Sequence, residues 1–360
     1  MIEQSVLYPP LYPALCPVGG ATDGAMEVAL RALGEIVCHP RLSDESVEAA
    51  VAQAERQLLT DPVRTVEFAD RLAEVNLYAN HPYMFRGQGS FYGLRNVRPT
   101  AVRWAYQTYV GPGTSVLAMV GRCTPEGVLP IARAVFGEWA RRPIPPRGVW
   151  EQPLLRQSLS VLREEPVRST CVMMAFPVSG ITHEDFVTLR VIESLLAGGT
   201  GARLFRTVRE QRHLAYEVSV RFPAQVACSH FALYALTNAD SMEDARAAMA
   251  EELTRLQTEP VADTELKRAK AYLKGRYLLA HQYSAQYAFD LAWYELQDLG
   301  VRYDSAYPEA VERVTADDVQ RAAQTYFTRY LLAVVMPLSL SPELLREDRL
   351  TAPSDGVQQK

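Results

Sequence analysis

The 360-residue chain repeats itself in order at an offset near 217 residues. Val97, Val102, Ala105 and Gln107-Thr108-Tyr109 reappear as Val314, Val319, Ala322 and Gln324-Thr325-Tyr326. The strand-like run Leu117-Ala118-Met119-Val120 is answered by Leu332-Ala333-Val334-Val335. Met26-Glu27 and Ala32 answer Met242-Glu243 and Ala248, and Asp44, Val47 and Ala50 answer Asp263, Leu266 and Ala269. The offsets drift only from 215 to 219, and a fixed order at near-constant spacing predicts a duplicated domain. A chain of this length also exceeds what one ordinary core holds together.

The repeat is incomplete at its front. In the second half 84 residues, Ser158 to Ser241, precede Met242, against 25 before Met26, a difference of 59. The first half is therefore either truncated in this chain or degenerate at its front. The prolines of Arg141-Arg142-Pro143-Ile144-Pro145-Pro146-Arg147-Gly148 mark a stiff linker. The expected division is residues 1–140, linker 141–157, residues 158–345 and a tail 346–360.

Helical periodicity predicts helices over 26–37, 43–59, 66–78, 99–110 and 128–139, with a short buried strand at 115–120. In the second half, strands are predicted over 168–178, 216–222 and 227–237, with a helix over 183–197 begun by a Thr182-x-x-Asp185 capping box. The connection Pro223–Val226 is too short for a crossover, so the strands it joins pair antiparallel. The fold class is α+β: two duplicated domains, each a mostly antiparallel sheet with helices packed on one face, the first domain N-terminally shortened.

The stretch at 195–222 has no counterpart in the first half. Phe186, Leu189, Ile192, Leu195 and Leu196 recur at helical spacing until Gly198-Gly199 stop them. Gly201 releases the chain into a helix with Leu204, Phe205 and Val208 on one face. Beyond 211–213 the period becomes two, with Tyr216, Val218, Val220 and Phe222 facing one way. A turn then brings the Arg209 guanidinium and the Tyr216 phenol to one rim. From the residues alone, Arg209 is a cation at a helix C-terminus and Tyr216 a sheet-edge aromatic. Gly198, Gly199 and Gly201 lack the Lys-Ser/Thr ending of a phosphate loop and read as helix punctuation.

A net charge of −5 gives no reason to expect nucleic acid or an anionic membrane as partner. Five scattered cysteines (Cys16, Cys38, Cys123, Cys171, Cys228) fit neither a disulfide framework nor a cysteine metal site, and suit a reducing cytosol. The first twenty residues lack a basic leader region and are broken by prolines, and no apolar run approaches the roughly 20 residues of a membrane span. The expected location is cytoplasmic.

Four segments carry a family resemblance: residues 189–199 (LRVIESLLAGG), 202–216 (ARLFRTVREQRHLAY), 81–89 (HPYMFRGQG) and 136–139 (FGEW). With them the chain resembles, from about residue 26 to 336, the pitrilysin/insulin-degrading-enzyme family of zinc metallopeptidases, which includes mitochondrial processing peptidase. The family's zinc motif is H-x-x-E-H on one helical face. The six histidines here (His39, His81, His183, His213, His230, His281) include no two that are four apart. The 59 residues lacking from the first half are where that motif would lie.

The resemblance implies a member with no catalytic residue, metal or cofactor of its own, zinc being expected in a partner chain. Glu67 and Glu74 lie in the neighbourhood of the family's third ligand, and by themselves read as exposed helix carboxylates. Arg209 and Tyr216 match, in type and spacing, a pair that holds the substrate carbonyl and stabilises its oxyanion, here in trans. Gly198, Gly199 and Gly201 match a loop near the substrate cleft. The implied function is a zinc-less subunit of a two-chain peptidase, partnered by a zinc-bearing homologue and an unfolded peptide. The alternatives are a peptide-binding or scaffold homodimer, and a shortened form of a longer chain whose front carries the zinc motif.

Overall fold

A computed structural model of the chain describes residues 23–60, 65–79, 81–85, 87, 89–143 and 153–338. Helices come first: α1 (Asp23–Cys38), α2 (Asp44–Thr60), α3 (Thr65–Leu77), α4 (Phe91–Arg95), α5 (Pro99–Tyr109) and α6 (Pro125–Phe136). Strands β1 (Leu159–Glu165) and β2 (Thr170–Ser179) follow, then α7 (Phe186–Ala197), β3 (Glu217–Arg221) and β4 (Cys228–Thr237). The chain closes with α8 (Met242–Thr258), α9 (Asp263–Ala280), α10 (Ser284–Leu296), α11 (Arg302–Arg313), α12 (Ala316–Tyr326) and β5 (Leu331–Pro337). No helix among the described residues is long and apolar enough to cross a membrane.

The sheet is built around β2 and β4, whose sequences TCVMMAFPVS and CSHFALYALT are almost wholly apolar. Such runs belong to strands covered on both faces. The two pair antiparallel from Thr170↔Thr237 to Ser179↔Cys228. Strand order is β1-β5-β2-β4-β3, antiparallel except for the parallel β1–β5 pair. The fold is thus α+β with a mostly antiparallel sheet, and the 223–226 connection joins an antiparallel hairpin as expected.

Alternation along β2 separates two cores. Val172, Met174, Phe176 and Val178 point into a core shared with α7, α8, α9, α11 and α12. Phe327 meets Phe176 there edge-on at 5.2 Å and Phe231 at a tilt at 5.1 Å. Cys171, Met173 and Ala175 point the other way, onto α3. Ala69 and Ala73 of α3 are fully buried, and their small side chains let the helix lie close to the strands. The expected helical layer covers one face, and α3 from the first half closes the other.

Polar groups fix α3 in place. The Tyr78 hydroxyl donates to Gln225 Oε1 at 2.9 Å and lies 3.1 Å from His230 Nδ1. His230 Nε2 lies 3.3 Å from Asp70 Oδ1, and Asp70 pairs with Arg221 at 2.9 Å. Tyr83 Oη accepts the Val226 and Ala227 N–H groups of the hairpin loop. These are contacts of the first half with β3, β4 and the loop between them, and they satisfy groups that burial would otherwise strand.

Two local expectations are corrected. Residues 115–120 form no strand, and Leu117 is 42% exposed. A strand needs a ladder partner for its N–H and C=O groups. The equivalent β5 lies between β1 and β2, whereas no strand precedes β1 among the described residues. For the same reason Val319 and Ala322 are fully buried while their counterparts Val102 and Ala105 are only half-buried, and α5 and α6 bury no residue completely. The 182–185 capping box is also absent, because Asp185 turns inward. Its carboxylate accepts from Arg321 Nη2 at 2.5 Å and from Tyr326 Oη at 2.9 Å, tying the start of α7 to α12. Against the cost of burial, these bonds hold the Asp185 carboxyl below its usual range.

At the end of α9, His281 places Nδ1 2.7 Å from the Tyr277 carbonyl and Nε2 2.9 Å from the buried Asp304 carboxylate. Two acceptors call for a ring that donates from both nitrogens, the imidazolium. Burial pushes the His281 pKa down, but the Asp304 and Tyr277 hydrogen bonds and the nearby Asp290 charge outweigh it and hold the value above normal. A raised folded-state value means stability that is complete below the unfolded imidazole value and lost as pH rises through the folded one. His281→Gln should therefore cost about 1–2 kcal/mol near pH 6, shrinking toward pH 9, in urea melts across that range. A pH-independent cost would contradict the imidazolium assignment.

Candidate functional site

The rim predicted at 195–222 is shaped by two glycines. A Cβ on Gly198 would lie 2.4 Å from the Ser194 carbonyl oxygen, and Gly199 has φ +86°, a left-handed conformation that side-chain-bearing residues resist. Together they end α7 sharply. The chain then winds into a π-helical turn, Phe205–Gln211, rather than the short α-helix the periodicity suggests. Its widened pitch shows in the Arg212 N–H bonding to the Thr207 carbonyl five residues back at 3.2 Å. Leu204 and Val208 are fully buried against the core, and Arg209 is left on the exposed side.

His213, at φ +54°, reverses the chain after this turn. Thr237 Oγ1 donates to the Leu214 carbonyl at 2.6 Å and the Tyr216 N–H to Leu236 at 2.8 Å, so the reversal is anchored on β4. Val218, Val220 and Phe222 point into the core as expected. Tyr216 does not join them: it stands just before the strand and is 59% exposed.

The two rim residues are held differently. The Arg209 guanidinium lies 5.0 Å over the Phe205 ring and makes no hydrogen bond or ion pair among the described residues. Tyr216 donates its hydroxyl to Asn238 Oδ1 at 2.6 Å. No hydrogen bond joins Arg209 to Tyr216 among the described residues; what they share is the 205–216 segment. For the phenol to donate elsewhere it must release Asn238. The periodicity sets Phe205 on an apolar face with Leu204 and Val208 rather than beneath Arg209, and does not point to Asn238. The hairpin register Glu217↔Leu236 would have pointed to Asn238, because it sets residues 216 and 238 at the same end of the ladder.

The described residues do not fit a zinc ion: no three His, Cys, Asp or Glu side chains among them are grouped to hold a metal. Glu67 is exposed, and Glu74 lies 3.8 Å from Arg71 on the same helix. His81 is buried, accepts the Tyr83 N–H on Nδ1, and is kept neutral by burial, which lowers its pKa.

Because Arg209 and Tyr216 are exposed and lightly tied, Arg209→Ala and Tyr216→Phe should each change unfolding free energy by no more than about 0.5 kcal/mol. Gly199→Val should cost about 1–2 kcal/mol through left-handed strain. Urea denaturation compares the three, and a cost above about 2 kcal/mol for Arg209→Ala would make it a structural residue.

Comparisons with known proteins support the fold. A family model described as "Peptidase M16 inactive domain" matches residues 96–273, from the start of the α4–α5 turn into α9. An uncharacterized zinc protease of Mycobacterium leprae is 23% identical over 344 residues, covering 93% of this chain and 76% of that protein. The uncharacterized zinc protease YmxG of Bacillus subtilis is 20% identical over 337 residues, covering 91% and 79%. A Helicobacter pylori protease structure superposes with TM-score 0.76 at 17% identity, over 88% of this chain and 78% of that one. A peptidase M16 inactive domain from Pseudomonas fluorescens gives 0.74 at 20% identity, over 87% and 75%. At such identities the structures speak for the fold alone.

Proposed function

The chain belongs to the pitrilysin-type M16 peptidase family, and from that premise we propose that it is the non-catalytic subunit of a two-chain peptidase, binding peptide and presenting Arg209 and Tyr216 to substrate held at a partner's zinc site. Its 360 residues contain no H-x-x-E-H, and the matched family model is that of an inactive domain. The observation that carries the reading is the Arg209 guanidinium, exposed on the rim with only an aromatic ring beneath it. A guanidinium and a phenol both donate to a developing oxyanion, which needs no metal on this chain.

The peptide has a ready place. β3 is an outer strand of the sheet, and its far edge, beside Tyr216, has no strand partner among the described residues. An extended peptide adds to such an edge through backbone hydrogen bonds, with little sequence preference. Free Cys38, Cys123, Cys171 and Cys228 suit a reducing cytoplasm. A second reading, a peptide-binding or scaffold homodimer without peptidase work, is favoured by one feature: the Tyr216 hydroxyl is already given to Asn238.

Co-expression with a zinc-bearing homologue, followed by purification and a peptidase assay, separates the two readings. The first predicts a mixed complex whose kcat falls about a hundredfold with Arg209→Ala or Tyr216→Phe, the effect of removing one oxyanion donor. Full activity in both variants, or no complex at all, contradicts it.

A further inference from the structure

Beside the π-helical turn, α8 and the start of α9 enclose a cavity of about 360 Å³ lined by Arg203, Arg206, Arg255 and Arg268 together with Glu252 and Glu265. Four guanidiniums thus face two carboxylates, and both carboxylates are already engaged. Glu265 accepts Nε and Nη2 of Arg203, each at 2.8 Å. Glu252, almost fully buried, accepts from the Thr207 hydroxyl at 2.9 Å and from Arg255 Nη1 at 3.2 Å. Arg255 also reaches Glu259 at 3.5 Å.

Positive charge is left over. The Arg206 side chain makes no hydrogen bond or ion pair among the described residues, and Arg268 approaches Glu265 only to 3.9 Å. A Cβ on Gly201 would lie 3.4 Å from Arg268 Nη1, so the bare backbone there leaves room for that guanidinium. Arg203 is spoken for: its side chain is 10% exposed and its Nε and Nη2 are held by Glu265, so the charge left for a ligand lies on Arg206 and Arg268. The first turn of the 18-residue α9 brings Thr264 and the positive end of its dipole to the same wall.

We infer that this cavity binds the oxyanion group, phosphoryl or carboxylate, of a small polyanion, with the unpaired Arg206 and the loosely paired Arg268 as its principal guanidiniums. Arg209 and Tyr216 do not line it, so the inference stands apart from the peptidase reading. Bidentate guanidinium geometry suits either group, and divalent or trivalent anions gain most from four converging arginines.

Isothermal titration of the full chain with pyrophosphate, inorganic phosphate and citrate, each against sodium chloride of equal ionic strength, tests this. One pyrophosphate or citrate should bind per chain, at least about tenfold more weakly in the Arg206→Gln/Arg268→Gln double variant. Arg206→Gln alone, at an exposed and unpaired position, should weaken binding in the same direction and guards against misfolding of the double variant. Stronger binding of pyrophosphate assigns a phosphoryl ligand, and stronger binding of citrate a carboxylate. The inference is overturned if none of the three anions saturates, if chloride reproduces the heats, or if the variants bind as the parent does.

Discussion

β2 has both faces buried and both edges paired, and the rest of the structure depends on that condition. Ten nearly unbroken apolar residues cannot face water on either side, and their backbone groups cannot stay unpaired. One face is met by helices of the second half, the other by α3 of the first. Among the described residues, the first half thus gives its best-buried helix to the second half's sheet. The remaining first-half helices are half-exposed where their repeats are buried, because among the described residues no sheet of their own lies beneath them.

The rim inherits its position from this platform. Leu236 of β4 and Asn238 just beyond it anchor Tyr216, and the buried Leu204 and Val208 anchor the π-helical turn that carries Arg209. Neither rim side chain contributes much to the fold, and that frees both for a ligand. On the proposed reading, such a rim donates hydrogen bonds to a peptide carbonyl beside the outer strand β3. The arginine-lined cavity is built differently, from internal ion pairs whose carboxylates run out before the guanidiniums do.

Much of this was legible in the sequence, and the exceptions have physical causes. The hairpin, the glycine stop at 198–199 and most helices could be read because periodicity and punctuation are local signals. The destination of α3 could not, since an apolar stripe does not say which sheet it covers. β1 was missed because LSVLREE carries three charges and alternates weakly. Over seven residues, a π-helical spacing is indistinguishable from an α-helical one, so the turn at 205–211 read as an ordinary helix. Tyr216 matched the two-residue period of its strand but stands ahead of the ladder, where burial no longer follows the period. The cavity draws on segments near residues 203, 252 and 265, which only the fold brings together.

Native-state hydrogen exchange tests the dependence on the doubly covered sheet most directly. Amides of β2, β4 and α3 should share the slowest exchange, opening only with global unfolding, while those of α5 and α6 exchange much faster. Exchange of α3 as fast as α5 and α6, with β2 still protected, would contradict the claim that α3 is part of the platform.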